Sequence, residues 1–394
     1  MSQTTTMRLA NRIQKVQPSL TLAIAAKAKQ MKQQGIDLVS FSAGEPDFDT
    51  PEPIKQKAIE SLKSGFTKYT PASGTPELKA AIAQKLAQEN GLNYQPEQII
   101  VSCGAKHSIY NVLQVLVNEG DEVIFGSPYW LSYPEMVTLA GGRSVVIETP
   151  LESGYKIKPE QLESAITPKT KLIILNSPSN PTGAVYNRDE LKALAAIAVK
   201  KNVCVLSDEI YEKLIFDGAD HVSIGALMPE MKDLAITVNG ASKAYSMTGW
   251  RLGYAACPAD IAKAVSSLQS HSTSNPTSFA QVGFLEAIQH GESAVQKMKA
   301  EFEKRRNLMV ELFSQIKGVK YFKPAGAFYL FLDISEFKLT SVEFADKLLD
   351  EAKVALVPGI AFGDDHAVRL SFAASEKNIR EGIRRIGEWL KSRA

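Results

Sequence analysis

The chain has 394 residues, 44% of them hydrophobic, with 45 basic and 43 acidic side chains for a net charge of +2. That length exceeds one usual core and predicts about two domains. The balanced charge, with no long run of one sign, argues against nucleic acid or an anionic membrane surface as a partner. Three cysteines, Cys103, Cys204 and Cys257, are too sparse for a disulfide framework, make no metal-site spacing and suit a reducing cytoplasm. The stretch 1–12 is polar, without the apolar core of a signal peptide, and no apolar run approaches the ~20 residues that span a bilayer. A soluble cytoplasmic protein is expected.

In chain order, residues 22–33 have a modest helical pattern stopped by Gly35, and 37–42 read as a short strand. The next stretch, Ala43-Gly44-Glu45-Pro46-Asp47-Phe48, is punctuated as a loop. A helix is predicted over 55–63. A loop over 68–74 follows, and Thr75-Pro76-Glu77-Leu78 is a helix start with proline at its first position. From residue 97 a strand–loop–helix rhythm begins: strand 98–101, a tight loop Ser102-Cys103-Gly104-Ala105-Lys106, and helix 107–117. Free amides and the dipole at such a helix start suit a phosphate, although many turns of this kind hold none. Strand 122–126 leads to Ser127-Pro128-Tyr129-Trp130, where an aromatic can stack on a planar ring. Tyr129 and Tyr133 read as core packing.

Strand 144–148 and helix 159–165 precede residues 171–176, a fully apolar strand of the kind found inside parallel sheets. It runs into Ser177-Pro178-Ser179-Asn180-Pro181-Thr182-Gly183. Helix 189–200 and strand 203–206 lead to Ser207-Asp208-Glu209-Ile210-Tyr211. An acid at the end of a buried strand is costly without a cationic partner. After strand 234–238 comes Asn239-Gly240-Ala241-Ser242-Lys243, with Arg251 eight positions on. Small residues let a bulky group approach the backbone. A partly desolvated lysine there can lose its proton near neutral pH and attack a carbonyl, and a fixed arginine can hold a phosphate. Taken alone, Lys243 reads as a solvated lysine in a turn. Residues 255–290 are predicted helical with a break at 271–277, and 293–315 form a long helix. Strand 328–334, helix 342–351, strands 354–357 and 367–372 and an amphipathic helix 377–391 complete the chain. Arg369, within a strand, offers a planar fork that binds a carboxylate by two parallel hydrogen bonds.

The stretch from Ser242-Lys243 to Gly249-Trp250-Arg251-Leu252-Gly253-Tyr254 resembles the Schiff-base segment of fold-type I enzymes that use pyridoxal phosphate. Gly44-Glu45-Pro46-Asp47-Phe48, the Tyr69 to Leu78 stretch, the Asn180-Pro181-Thr182-Gly183 string and Val368-Arg369-Leu370-Ser371-Phe372 are similar to further signatures of the aspartate aminotransferase family. The resemblance covers essentially the whole chain. It implies an α/β chain of fold type I. A large domain, residues 49–291, would carry a mostly parallel seven-stranded sheet between helices, and residues 1–48 with 292–394 would form a smaller α+β domain. It also implies pyridoxal 5′-phosphate as cofactor and small amino and keto acids as substrates. Lys243 would be the catalytic lysine, binding the cofactor and then moving the proton at the substrate α-carbon. Asp208 would face the ring nitrogen, Tyr211 and Asn180 the 3′-oxygen, and Trp130 the ring face. Gly104, Ala105, Lys106, Ser242 and Arg251 would hold the phosphate. Tyr69 would reach the phosphate in the partner subunit's site, making a homodimer with shared active sites. Gly44 and Arg369 would take the α-carboxylate, with Trp130 and Asn180 also against the substrate.

No arginine motif for a distal carboxylate occurs near 271–285. Lys106, together with Pro18-Ser19-Leu20-Thr21, is instead similar to a subgroup that reads the acidic side chain with a lysine, with Thr21 and Arg12 assisting. Some members of that subgroup also aminate prephenate. The expected reaction is therefore aspartate with 2-oxoglutarate, with prephenate use as an alternative. A carbon–sulfur lyase would share the cofactor residues and Arg369 but would not need Lys106. The aminotransferase-like module of a transcription regulator would need a DNA-binding domain, for which the residues before Gly44 leave no room. A nicotinamide dehydrogenase would need a Gly-x-Gly-x-x-Gly that the first strands lack.

Overall fold

The computed structural model describes residues 9–393; the first eight residues of the polar N-terminal stretch and of the segment 1–48 lie outside them. Helix α1 (Leu20–Gln33) starts where the Ser19 side chain accepts from the Leu22 amide, and strand β1 (Val39–Ser40) follows. Helices α2 (Glu52–Lys63) and α3 (Pro76–Asn90) carry proline in their first turns, where its missing N–H is not needed. Thr75 caps α3, and Gly91 ends it at φ 67°.

Strands and helices then alternate: β2 (Ile99–Ser102), α4 (Ala105–Leu116), β3 (Glu122–Ser127), α5 (Ser132–Leu139), β4 (Arg143–Glu148), α6 (Pro159–Ala165), β5 (Thr170–Asn176), α7 (Arg188–Lys201), β6 (Cys204–Asp208), β7 (Ala235–Gly240) and β8 (Gly253–Ala256). These strands form one seven-stranded sheet in the order β2-β8-β7-β6-β5-β3-β4. It is parallel except for β8, which runs antiparallel to both β2 and β7. Helices cover both faces, so the central strands are apolar on both sides. Along β5, Leu172 and Ile174 join a cluster with Ile109 and Val112 of α4, while Ile173 and Leu175 join one with Leu191 and Leu194 of α7. The period of two in a β-strand divides one apolar run between two cores.

Helices α8 (Ala259–Ser270), α9 (Ser278–His290) and α10 (Glu292–Phe313) lead to β9 (Lys320–Tyr321), β10 (Tyr329–Asp333), α11 (Ser341–Lys347), β11 (Val354–Ala355), β12 (Val357–Pro358), β13 (Ala367–Ser371) and α12 (Glu376–Lys391). An antiparallel sheet has the order β12-β13-β10-β9, and β11 pairs in parallel with β1. Phe41 from the N-terminal part shares a buried cluster with Phe302 and Met309 of α10, Leu330 of β10 and Ile383 of α12. The expected α/β architecture, a mostly parallel seven-stranded sheet between helices with a smaller α+β layer, is the one observed.

Four local expectations change. Residues 255 and 256, read as helical, belong to strand β8. Alanine favours helix, but Ala255 and Ala256 are paired on both sides by β2 and β7, and tertiary packing overrides propensity. Helix α5 stands where no element was predicted. The helix expected over 342–351 is α-helical to Lys347 and then widens to a π-turn over Leu348–Ala352. The run 354–357 splits into β11 and β12, which join different sheets. Among the described residues, no helix is long and apolar enough to cross a membrane.

Candidate active site

The loops leaving the C-terminal ends of β2, β3, β5, β6 and β7 converge on a cavity of about 1040 Å³. Ligands bind at this edge of open α/β sheets because the strands end there and the following helices begin. Ala105, Lys106, Trp130, Asn180, Asp208, Tyr211, Ser242, Lys243, Arg251, Gly44, Thr21 and Arg369 all line it. They span the chain from its first α-helix to its last strand.

Lys243 follows β7 and reaches into the open space, where its Nζ donates to the Gly44 carbonyl at 2.5 Å. Burial among the cavity walls pulls its proton affinity down to about 8, and the Arg369 and Arg251 charges act in the same direction. Asp208, at the end of β6, is 4% exposed. Its carboxylate accepts from the Tyr133 hydroxyl at 2.7 Å and from the Ile210 amide at 3.3 Å. Burial nevertheless raises its pKa to about 6. Among the described residues it has no ion-pair partner.

Arg369 of β13 is 1% exposed. One Nη donates to Asn180 Oδ1 at 3.0 Å, the other to the Ser42 carbonyl at 3.2 Å, and the guanidinium lies 4.3 Å from the Tyr329 ring centroid. Its Nε is buried without a partner. Such an orphan donor is expensive unless a ligand takes it. Tyr211 and Tyr329 share a hydroxyl–hydroxyl bond of 2.9 Å.

Gly104 ends the β2 loop at φ 93°, and α4 begins after it with no side-chain cap. A side chain at Gly104 would collide with the Arg251 guanidinium, which lies across it. Arg251 itself holds a left-handed φ of 56° and donates to the Thr248 carbonyl at 2.9 Å. Behind it, Gly253 of β8 packs against the Ala105 amide so closely that a Cβ would fall on the backbone of the 104–105 loop. Gly253→Ala is therefore expected to displace that loop and lower stability by about 1–3 kcal/mol. Thermal unfolding compared with wild type reads the outcome.

Lys106 Nζ projects to 4.9 Å from the Trp130 ring centroid. Its proton affinity is lowered by burial first and by Arg251 second. Thr21 lines the same cavity from α1, and its Oγ1 has no partner. Arg12 is exposed and outside the cavity walls, so the chain by itself does not bring it to the site. Tyr69 is 91% exposed and also stands outside the cavity.

Three contributors were not singled out in the sequence. Tyr133, read as packing, is buried but spends its hydroxyl on Asp208. Asn176 donates to the Asp208 carbonyl at 2.9 Å and accepts from the Asn180 amide at 2.8 Å, locking two strand ends together. Tyr329 lies under Arg369. For Asn176 the available signal is a polar residue closing an apolar strand; no signal marks Tyr329. His107 is half-buried, and its Nδ1 accepts from the Cys103 amide at 3.3 Å.

A lysine with a lowered proton affinity, a buried carboxylate without a cationic partner, an uncapped helix start beside an arginine and a buried arginine fork share one cavity, a set able to attack a carbonyl and to hold anionic groups. The chain belongs to the aminotransferase class I and II family, whose model matches residues 36–386. It is 52% identical over 388 residues to the aspartate aminotransferase of Bacillus sp. (strain YM-2), covering 97% of this chain and 99% of that one. The aspartate/prephenate aminotransferase of Thermus thermophilus is 46% identical over 385 residues, covering 97% and 98%. A solved structure of the Thermus thermophilus aspartate aminotransferase with maleate matches with a TM-score of 0.94 at 45% identity, covering 97% of this chain and all of that one.

Proposed function

We propose that the chain transaminates L-aspartate with 2-oxoglutarate, using pyridoxal 5′-phosphate. The observation that carries this reading is that Lys243, Asp208 and Arg369 open on one cavity with Lys106 at its rim. The residues fit the cofactor. Asp208 is a buried anion without a cationic partner, which a protonated ring nitrogen supplies. The uncapped start of α4, Ser242 and Arg251 suit a phosphate dianion, and Tyr211 and Asn180 suit the 3′-oxygen. When bound, the cofactor offers an electrophilic carbonyl and an electron sink for the substrate α-carbon.

The chain supplies the rest. Lys243, poised near neutral pH, takes the α-proton as a free amine and returns a proton as an ammonium. Arg369 holds the α-carboxylate with its fork, and Trp130 walls the ring face. Lys106, with the free Thr21 hydroxyl, takes the distal carboxylate. Lys106→Ala is expected to lower kcat/KM for aspartate by about 10–100-fold, the loss of one charged partner, and to lower alanine turnover far less. An equal loss for both substrates would refute the assignment.

The names of the aspartate/prephenate relatives favour prephenate as a second acceptor, since it is also a dicarboxylate. The exposure of Tyr69 suits a second copy of the chain covering it, so a homodimer with shared sites is part of the reading. Sedimentation at twice the chain mass would support it. The three unpaired cysteines suit the cytoplasm. Residues 1–48 with 292–394 are proposed to close on residues 49–291 when a dicarboxylate binds; unchanged hydrogen-exchange protection with maleate would refute this.

A single-turnover absorbance titration without keto acid tests the function. Aspartate and glutamate should convert the cofactor band to that of the aminated form, whereas phenylalanine and alanine should do so weakly. Pyruvate released from cystathionine would move the protein to the carbon–sulfur lyases instead.

A further inference from the structure

Behind Asp208 lies a buried polar cluster that the proposed reaction does not use. From the end of β6 into the following turn the side chains divide between two sides. Asp208 and Tyr211 line the cavity, while Glu209 and Glu212 are turned into the interior. Glu209 is 0% exposed and the Glu212 side chain 8% exposed. Two carboxylates this deep require both donors and cations. Glu209 accepts from Ser207 Oγ at 2.8 Å, Ser223 Oγ at 2.6 Å and His221 Nε2 at 2.8 Å. Glu212 accepts from Lys85 Nζ and from Asn90 Nδ2 at 2.8 Å. Asn90 joins the halves: its Oδ1 accepts from Lys85 at 2.7 Å, and its Nδ2 is 2.9 Å from Ser223 Oγ. The turn that carries Asp208 is thus tied from behind to α3 and to residues 221–223. Glu209, Glu212 and His221 have the donor types of a metal site, but the Lys85 ammonium already supplies a cation there.

Lys85 balances one carboxylate. His221 is placed to balance the other. Burial pulls its proton affinity down, yet the Glu209 and Glu212 charges outweigh that and leave it raised. Glu212 is held at about 2: burial raises it, but Lys85 and His221 lower it further. Farther out, Glu89 pairs with Lys85 and Lys213, and Lys213 with Glu292. Tyr94 and Tyr254, which feel the same carboxylates, are held as neutral phenols by burial. The Glu209 charge also pushes the Asp208 carboxyl upward.

We propose that Glu209, Glu212, Lys85 and His221 form a charge-balanced brace, and that His221 is a positioning residue for Asp208, acting through Glu209. The inference rests on the proposed function and deepens it. In its protonated form, which the Glu209 and Glu212 charges favour although Nδ1 is buried without a partner, His221 offsets one of the two anions, and its removal favours the protonated forms of the groups facing the site. Removing the Glu209 charge leaves a surplus cation and does the reverse. Removing both restores neutrality through Lys85 and Glu212.

The test is the pH midpoint of the bound-cofactor absorbance in substrate-free holoenzyme. His221→Gln should raise it by about half a unit, Glu209→Gln should lower it by about as much, and the double variant should return close to wild type. A packing defect would not give opposite signs that cancel. Shifts in the same direction, or no shift in variants that unfold at normal temperatures, overturn the brace. If His221→Gln fails to fold, Glu209→Gln decides alone: a downward shift supports the brace and any other result overturns it. A wild type without a cofactor band would overturn the proposed function itself, a result distinct from a band that ignores both variants.

Discussion

Lys243→Ala is expected to leave a folded protein that turns over aspartate at least about 10⁴-fold more slowly than wild type. The size of the loss follows from the two tasks proposed for this one nitrogen, attack on a carbonyl and transfer of the α-proton. Groups that act as a unit lose nearly everything together. Stability should move the other way. The folded-state pKa of about 8 lies below the ordinary 10.5 of lysine, mainly through burial. Between about pH 8 and 10.5 the unfolded chain therefore binds more protons, and wild-type stability rises with pH through that window. The alanine variant lacks this rise. Below pH 8, where wild type buries an ammonium, the variant should be at least as stable. Thermal unfolding of the cofactor-free proteins from pH 7 to 10 reads both effects. A variant that is less stable at pH 7 would mean that the Gly44 contact outweighs desolvation.

Much of this site was legible because Trp130, Asn180, Asp208 and Lys243 end or follow apolar strands and because their motifs resemble those of a known family. The apolar runs at 171–176 and 234–238 read as buried strands, and Asn180, Ser242 and Lys243 follow their C-terminal ends. Asp208 was conspicuous as a charge where burial forbids one without a partner. The less legible parts are those whose meaning depends on a distant neighbour. β8 is a strand only because β2 and β7 flank it. Tyr133 and Tyr329 look like core aromatics in sequence, and it is the hydroxyl on Asp208 and the ring under Arg369 that distinguish them. Glu209 reads as structural from its place beside Asp208. Its bonds to Ser223 and His221, and through Asn90 to Lys85, come from segments far apart in the chain. Arg12 and Tyr69 show the complementary case: motif resemblance pointed to them, and the single chain leaves both outside the cavity.

Asp208→Asn should separate stability from function more sharply than any other substitution in the site. The two side chains have nearly the same shape. The amide oxygen can accept from the Ile210 amide, and the amide nitrogen can donate to the Tyr133 hydroxyl, which is free to rotate. Packing is therefore preserved. What changes is the charge. Burial raises the wild-type carboxyl from 3.8 to about 6, so the folded cofactor-free protein binds more protons than the unfolded chain between those values. Its stability accordingly falls as pH rises through that window. The shift corresponds to at most about 3 kcal/mol, and the neutral amide recovers part of it at pH 7. The cofactor-free variant should consequently melt higher than wild type at pH 7 and equally at pH 4. Turnover should fall by about 10²–10⁴-fold, because a neutral amide cannot serve as the anion proposed to face a protonated ring nitrogen here. A variant less stable than wild type at pH 7, or one that keeps wild-type turnover, would remove Asp208 from the role of buried counter-charge.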